Sequence, residues 1–198
     1  MTIVLGLTGS IGMGKSTVAA MFRKAGIPVF DADAEVRRLQ GPGGILLAAI
    51  ESLYPGTTGA GGVDRPRLAA VVLHDKAALH RLERVVHPAV DRARRAFLRR
   101  HAARRLVVVD IPLLFEKGGW RRVDRIAVVS AAPWQQAKRV LARPGMTAAR
   151  LAQIRALQLP DPQKRARADF VIPTGSTFGE TRAAVDAIIA CLSRRRVR

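Results

Sequence analysis

The sequence predicts an α/β fold with a parallel sheet flanked by helices, and three observations carry the prediction. A glycine-rich loop, "TGSIGMGKST" at 8–17, joins an apolar run to a helical pattern near the start of the chain. Four further short apolar runs, rich in β-branched residues, are separated by stretches of helical periodicity. Two segments, 34–105 and 143–162, carry no strand signal and read as helical insertions into that sheet.

The elements follow in order. Residues 3–7 form a short apolar run that reads as a buried strand, and residues 15–25 read as a helix stopped by Gly26. Residues 27–31 are the second strand. The third, 106–110, is the β-branched run "LVVVD" ending in an acid; the fourth is 125–130, and the fifth, 170–172, is closed by Pro173. Continuous apolar strands separated by helical patterns argue for a parallel sheet with both faces covered. A parallel crossover needs little more than about a dozen residues, so the stretch between strands two and three is an insertion. Within it, residues 34–54 and 65–104 read as helices, split by the turn-rich "YPGTTGAGG" at 54–62. The expected domains are a nucleotide-binding core of 1–33, 106–142 and 163–198, a helical substrate-binding domain of 34–105, and a small helical lid of 143–162 bounded by proline-containing turns. The terminal "SRRRVR" reads as a solvated tail.

At 198 residues and 48% hydrophobic content, the chain is long enough to bury a sizeable core. No apolar run approaches the roughly 18 residues of a membrane helix. The first apolar run lacks a basic leader and a small-residue cleavage site. The lone cysteine, Cys191, cannot form an internal disulfide, and a reducing, cytoplasmic setting is the expectation. The net charge of +19 comes mostly from 28 arginines against 6 lysines, spread along the chain. Such a field attracts polyanions, whether nucleic acid or substrates carrying several phosphates, and it equally suits solvated helix faces. A nucleic-acid module would need a basic patch interleaved with stacking aromatics. Aromatic residues are 5% of the chain and no oligonucleotide-binding motif is present, so neither nucleic acid nor membrane is an expected partner. The number of subunits stays open.

The loop carries the first chemistry. Gly9-x4-Gly14-Lys15-Ser16 is the spacing of a phosphate-binding P-loop, and it lies after a strand and before a helix, where such a loop must. Its glycines let successive N–H groups point at phosphates, and the helix adds its positive end. Lys15 then reaches the β- and γ-phosphates and the Ser16 hydroxyl is a ligand for Mg²⁺. This narrows the fold class to the P-loop NTPase type. Asp31-Ala32-Asp33 ends the second strand, on the side where open α/β sheets bind ligands. In an extended segment the two carboxylates share a face, suited to orienting a hydroxyl and accepting its proton. The alternative is that one of them caps a helix beginning near Ala34. Asp110, after four apolar residues, is placed to hold Mg²⁺ directly or through water. Ile111-Pro112 follow it with no second acid to activate water, which favours transfer to a bound hydroxyl over hydrolysis.

Five stretches occur in the order and spacing of one family: "GLTGSIGMGKSTV" (6–18), "FDADAEVRRL" (30–39), "VVHPAV" (85–90), "DIPLLFEKG" (110–118) and "ADFVI" (168–172). They resemble the dephospho-CoA kinases over nearly the whole chain. Asp-x-Asp also occurs in shikimate kinases, whereas His87-Pro88 combined with Pro112-Leu113-Leu114-Phe115-Glu116 is far more specific. The large insertion after strand two likewise argues against a shikimate-type or nucleotide monophosphate kinase. The resemblance implies ATP-dependent phosphorylation of the ribose 3′-hydroxyl of dephospho-CoA, giving coenzyme A and ADP in the last step of coenzyme A biosynthesis, with Mg²⁺ as cofactor.

The same resemblance implies Gly12, Met13, Gly14, Lys15, Ser16 and Thr17 as the ATP loop. Asp33 is then the base, Lys15 and Arg139 the other catalytic residues, and Arg143 the lid neighbour of Arg139. Asp31, His87, Leu113, Phe115 and Glu116 are candidate substrate contacts. Each has a plainer reading: Asp31 as a cap, His87 as the residue before a helix-starting Pro88, Leu113 and Phe115 as core, Glu116 as the close of a helix turn. Trp120 and Trp134 read as packing or surface residues, and Gln153 and Gln158 lie in the lid pattern without an assigned role. The chain departs from the family pattern after 168–172. Many members place an asparagine near the adenine there, and here the run is Pro173-Thr174-Gly175.

Overall fold

The computed structural model describes residues 2–193; Met1 and residues 194–198, which hold most of the "SRRRVR" stretch, lie outside the described residues. The chain runs β1 (Ile3–Thr8), α1 (Lys15–Lys24), β2 (Val29–Asp31), α2 (Ala32–Leu39), α3 (Leu47–Leu53), β3 (Thr58–Gly59), β4 (Gly62–Val63), α4 (Arg65–Val72) and α5 (Lys76–Arg100). It continues through β5 (Leu106–Asp110), a 3₁₀ turn (Gly119–Arg122), β6 (Arg125–Ser130), α6 (Pro133–Leu141), α7 (Ala148–Ala156), α8 (Asp161–Ala166), β7 (Phe170–Pro173) and α9 (Phe178–Ser193). Asp31–Arg100 forms one compact unit and the rest of the described chain another. No helix among the described residues is long and apolar enough to cross a membrane.

The larger unit is built on a sheet of order β2-β5-β1-β6-β7, in which β1 is parallel to both β5 and β6, and β6 to β7. The strand that feeds the glycine loop is therefore the central one. Successive side chains of a strand point to opposite faces, and both faces are covered, which is why the runs are continuous rather than alternating. Ala127 and Val129 of β6 join Leu5, Leu7, Leu106, Val108 and Ile172 against Val18 and Phe22 of α1 and Val185, Ile188 and Leu192 of α9. Ile126 and Val128 face the other way, against Leu114 and Phe115, with Ile111, Val123 and Leu159 at the margin.

That second face also holds a buried charge. Lys164 of α8 is fully buried, and its Nζ lies 2.9 Å from Glu116 Oε1. The same oxygen accepts the Leu159 N–H at 2.7 Å. Burial works to raise the Glu116 pKa, but Lys164 and the Leu159 N–H outweigh it and hold the carboxyl below its ordinary value of 4.5.

The Asp31–Arg100 unit departs from the two unbroken helices expected over 34–54 and 65–104. α2 begins at Ala32, earlier than expected, because Asp31 Oδ1 accepts the Ala34 N–H at 2.9 Å and ends the strand there. Residues 41–44, "GPGG", separate it from α3. β3 and β4 pair antiparallel, with Thr58 opposite Val63, where no strand was expected. Two residues per strand are too few to leave a period of two in the sequence. The Glu51 carboxylate fastens this hairpin to α3, accepting from Gly56 N at 2.6 Å, Thr58 N at 2.9 Å and Thr58 Oγ1 at 2.7 Å.

Asp64 caps α4 through the Arg67 N–H at 3.1 Å, and Asp75 accepts the Ala77 N–H at 2.7 Å as α5 starts. Pro88 does not start a helix; it lies inside the continuous α5, which corrects the reading of His87-Pro88 as a helix boundary. The lost hydrogen bond costs about 3 kcal/mol. Against it stands apolar burial on both sides of the proline, where Ala78, Val86 and Ala89 pack with Leu39, Ile50, Tyr54, Leu68 and Val72.

Replacing Glu116 by Gln leaves Lys164 buried without its counter-charge, and such a loss is expected to cost about 3 kcal/mol at neutral pH. Because the folded pKa of Glu116 is depressed, its contribution is complete above the ordinary value of 4.5 and is lost as pH falls below that value through the folded pKa. Urea melts at neutral and acid pH check both points: the gap between wild type and Glu116→Gln closes on the acid side.

Candidate active site

β1 ends at Thr8, whose Oγ1 donates to Pro112 O at 3.0 Å, and α1 begins at Lys15. The chain between them turns back at Gly12 and Gly14, with φ of 76° and 86°, left-handed values that side chains disfavour. A Cβ on Gly12 would also stand 2.5 Å from Val140 Cγ2 and 3.0 Å from Gln136 O. Among the described residues, the N–H groups of Gly12, Gly14, Lys15 and Ser16 have no acceptor. They gather at the N-terminus of a ten-residue helix, where the peptide dipoles sum to a partial positive charge. Such a cluster of free donors is a receptor for a phosphate group. Lys15, 17% exposed, is paired through Nζ with Oδ1 of Asp110, which is 3% exposed at the end of β5. Ser16 and Thr17 are exposed in the first turn of α1.

Two of the loop's carbonyls, those of Ile11 and Met13, are by contrast held by side chains. Gln136 Nε2 donates to Ile11 O at 2.7 Å, and Gln136 Oε1 in turn accepts from Arg155 Nε at 2.9 Å and Nη2 at 2.5 Å. The Ile11 N–H donates to Gln158 Oε1 at 3.1 Å. Thr174 Oγ1 donates to Met13 O at 2.6 Å. Arg139 bonds the same threonine twice, from Nη1 to Oγ1 at 3.2 Å and from Nη2 to the carbonyl oxygen at 2.5 Å. Arg143 is exposed just beyond α6, its backbone N–H on Val140 O at 3.0 Å. A cavity of about 800 Å³ opens beside the loop, with Ser10, Met13, Gln136, Arg155 and Gln158 in its wall. Gln136 and Arg155 carried no signal in the sequence, and Thr174 stood out only as a departure from the family's asparagine, because a lone amide, guanidinium or hydroxyl does not announce which distant backbone it meets.

The other expected residues are placed as follows. Asp31 spends one oxygen on capping α2. Asp33 lies in the first turn of that helix, exposed, and its carboxylate makes no hydrogen bond or ion pair among the described residues. The argument that 31 and 33 share a face as alternate residues of an extended segment is thereby corrected: the Asp31 cap turns the chain helical between them. His87 is exposed midway along α5. Leu113 is half-buried, Phe115 belongs to the sheet core, and Glu116 faces Lys164.

A phosphate loop leaving the central strand of a parallel sheet, with free N–H groups and a lysine held on a buried aspartate, defines a P-loop kinase. A family model described as Dephospho-CoA kinase matches residues 3–179. A Dephospho-CoA kinase of Novosphingobium aromaticivorans is 56% identical over 195 residues, 98% of this chain and 97% of that one. A crystal structure from Thermus thermophilus is 36% identical with a TM-score of 0.85, covering 98% of this chain and 99% of its own. The Dephospho-CoA kinase from Campylobacter jejuni, 19% identical, shares the fold with a TM-score of 0.68 over 97% of this chain and 98% of that one. This chain belongs to the dephospho-CoA kinase family. Its activity is that of a dephospho-CoA kinase, the final step of coenzyme A biosynthesis.

Lys15→Ala is expected to fold and to lose turnover by about 10²-fold or more, the usual effect of deleting a preorganised cation from a phosphoryl-transfer site. Steady-state assays checked by a circular-dichroism melt decide it. A folded variant with near wild-type turnover at saturating ATP would overturn the role given to Lys15.

Proposed function

We propose that the chain transfers the γ-phosphoryl group of ATP to the ribose 3′-hydroxyl of dephospho-CoA, with the phosphate loop, Lys15, Asp33 and Arg139 as its working parts. The observation that carries this reading is the set of free N–H groups at the start of α1, beside a lysine already held at the end of β5. Residues 12–17 would grip the phosphates of ATP. Lys15, released in part from Asp110 by competing phosphate oxygens, would follow the charge onto the β–γ bridge as that bond breaks. The acceptor oxygen forms the new bond to phosphorus, ADP leaves, and the hydroxyl proton passes to the Asp33 carboxylate. That carboxylate is exposed and not committed to any partner among the described residues, as a proton acceptor must be.

Arg139 would meet the equatorial oxygens of the transferring group. Two of its N–H donors are spent on Thr174, and the rest of the five remain for a ligand. Mg²⁺ fits the donor chemistry, since it takes one or two protein oxygens together with substrate phosphates and keeps several waters. Ser16 would hold it directly and Asp110 through water, and when bound it neutralises charge on the phosphates. The segment 34–105 would take the acceptor and 143–162 would act as a lid. The +19 charge favours capture of two polyphosphate substrates.

A coupled assay with ATP, Mg²⁺ and dephospho-CoA, with the product's 3′-phosphate located by NMR, tests the reaction. Asp33→Asn is expected to lower turnover by about 10²–10⁴-fold while ATP binding by calorimetry is nearly unchanged. Turnover within about threefold of wild type would remove the base from Asp33.

A further inference from the structure

Thr174 follows β7 and is 7% exposed, and its hydroxyl has two acceptors in reach, Met13 O at 2.6 Å and Ser130 O at 3.4 Å. Met13 O can only accept a hydrogen bond and Arg139 Nη1 can only donate one. Met13 O is much the nearer of the two acceptors, so the hydroxyl gives its proton there at 2.6 Å and turns a lone pair to Arg139 at 3.2 Å. The backbone of the same residue is equally committed, its carbonyl to Arg139 Nη2 at 2.5 Å and its N–H to Ser130 O at 2.9 Å. Gln135 Nε2 donates to Gly175 O at 2.6 Å and holds the next residue as well.

The consequence lies in the peptide that Met13 shares with Gly14. In a trans peptide the carbonyl and the following N–H point opposite ways. Drawing the Met13 carbonyl to Thr174 turns the Gly14 N–H away from it, and that N–H is one of the free donors of the loop. The fit is close: a Cβ on Gly14 would stand 3.2 Å from Thr174 Oγ1. A hydroxyl that donates also accepts more strongly, so the bonds to Met13 and to Arg139 reinforce one another.

We propose that the Thr174 hydroxyl is a positioning residue, one that sets the Gly14 N–H of the phosphate loop and the Arg139 guanidinium in a fixed relation. Its Arg139 arm rests on the role given to that arginine above. The hydroxyl touches no reacting atom; it acts through the two groups that do. Serine keeps the donor and acceptor, whereas valine keeps the shape and loses both.

The test is a double-mutant cycle on turnover and on the KM for ATP. Thr174→Val is expected to lower turnover by about tenfold or more, the effect of a small misplacement of catalytic groups, while Thr174→Ser stays within about threefold. In an Arg139→Lys background the same Thr174→Val change is expected to cost less than about threefold further, because the groups it aligns are already apart. If the valine variant precipitates, Thr174→Ala makes the same comparison without new contacts.

An equal penalty in both backgrounds would mean a purely structural threonine and overturns the proposal, as does a serine variant as poor as valine. Wild-type turnover for Arg139→Lys alone would sink the role given to Arg139 and, with it, this coupling. Wild-type turnover for Thr174→Val, beside a damaged Arg139→Lys, leaves that role standing and overturns only the positioning.

Discussion

The phosphate loop has to keep backbone N–H groups unpaired in a folded protein, and the arrangement of the larger unit follows from that demand. Free donors are costly where they have no acceptor and favourable where an anion arrives. The loop keeps Gly12, Gly14, Lys15 and Ser16 open by tying down what lies next to them: Ile11 on both its N–H and its carbonyl, Met13 on its carbonyl, and Thr8 through its hydroxyl. Those ties come from α6, from the segment after α7, from the turn after β7 and, for Thr8, from Pro112 after β5. The sheet order puts β1 between β5 and β6, so that the carboxyl ends of its neighbours flank the loop.

Charge burial is the second organising constraint, and one segment serves it twice. Residues 110–118 begin with Asp110, which holds Lys15, and reach Glu116, which holds Lys164. Between them Leu114 and Phe115 fill the second face of the sheet. A buried ion pair is weak evidence of net stability, but removing one member leaves an uncompensated charge. The stretch that reads in the sequence as a specific signature is thus in part a structural strut. Leu114, Phe115 and Glu116 have tasks inside the fold that explain their identities without a ligand.

Much of the fold was legible because its signals are local. The strands at 106–110 and 125–130 are short apolar runs rich in β-branched residues, and the glycine loop sits between a strand and a helix whose limits the sequence marks to within a residue or two. The break at "GPGG", the hairpin at 58–63 and the break between α4 and α5 were not legible, and α5 passes through Pro88 as the helix read over 65–104 requires but against the reading of Pro88 as a helix start. The hairpin is too short for periodicity, and the proline is tolerated because packing on either side outweighs one hydrogen bond. At the candidate site, Lys15, Ser16 and Asp110 could be read from spacing. Asp33 could be named, but not its helical setting.

What the sequence determined by itself was therefore the class of sheet, the loop, its lysine and the family signature, since each depends on residues a few positions apart in one segment. Only the tertiary structure decided how the loop is held. Lys15 and Asp110 are 95 residues apart, Ile11 and Gln136 125 apart, and Met13 and Thr174 161 apart. A hydroxyl or an amide bonds whatever complementary group the fold places within reach, so its sequence neighbours carry no record of the partner. Parallel strands and their crossovers bring those distant ends together, and the bond that orients the phosphate loop exists only once they have done so.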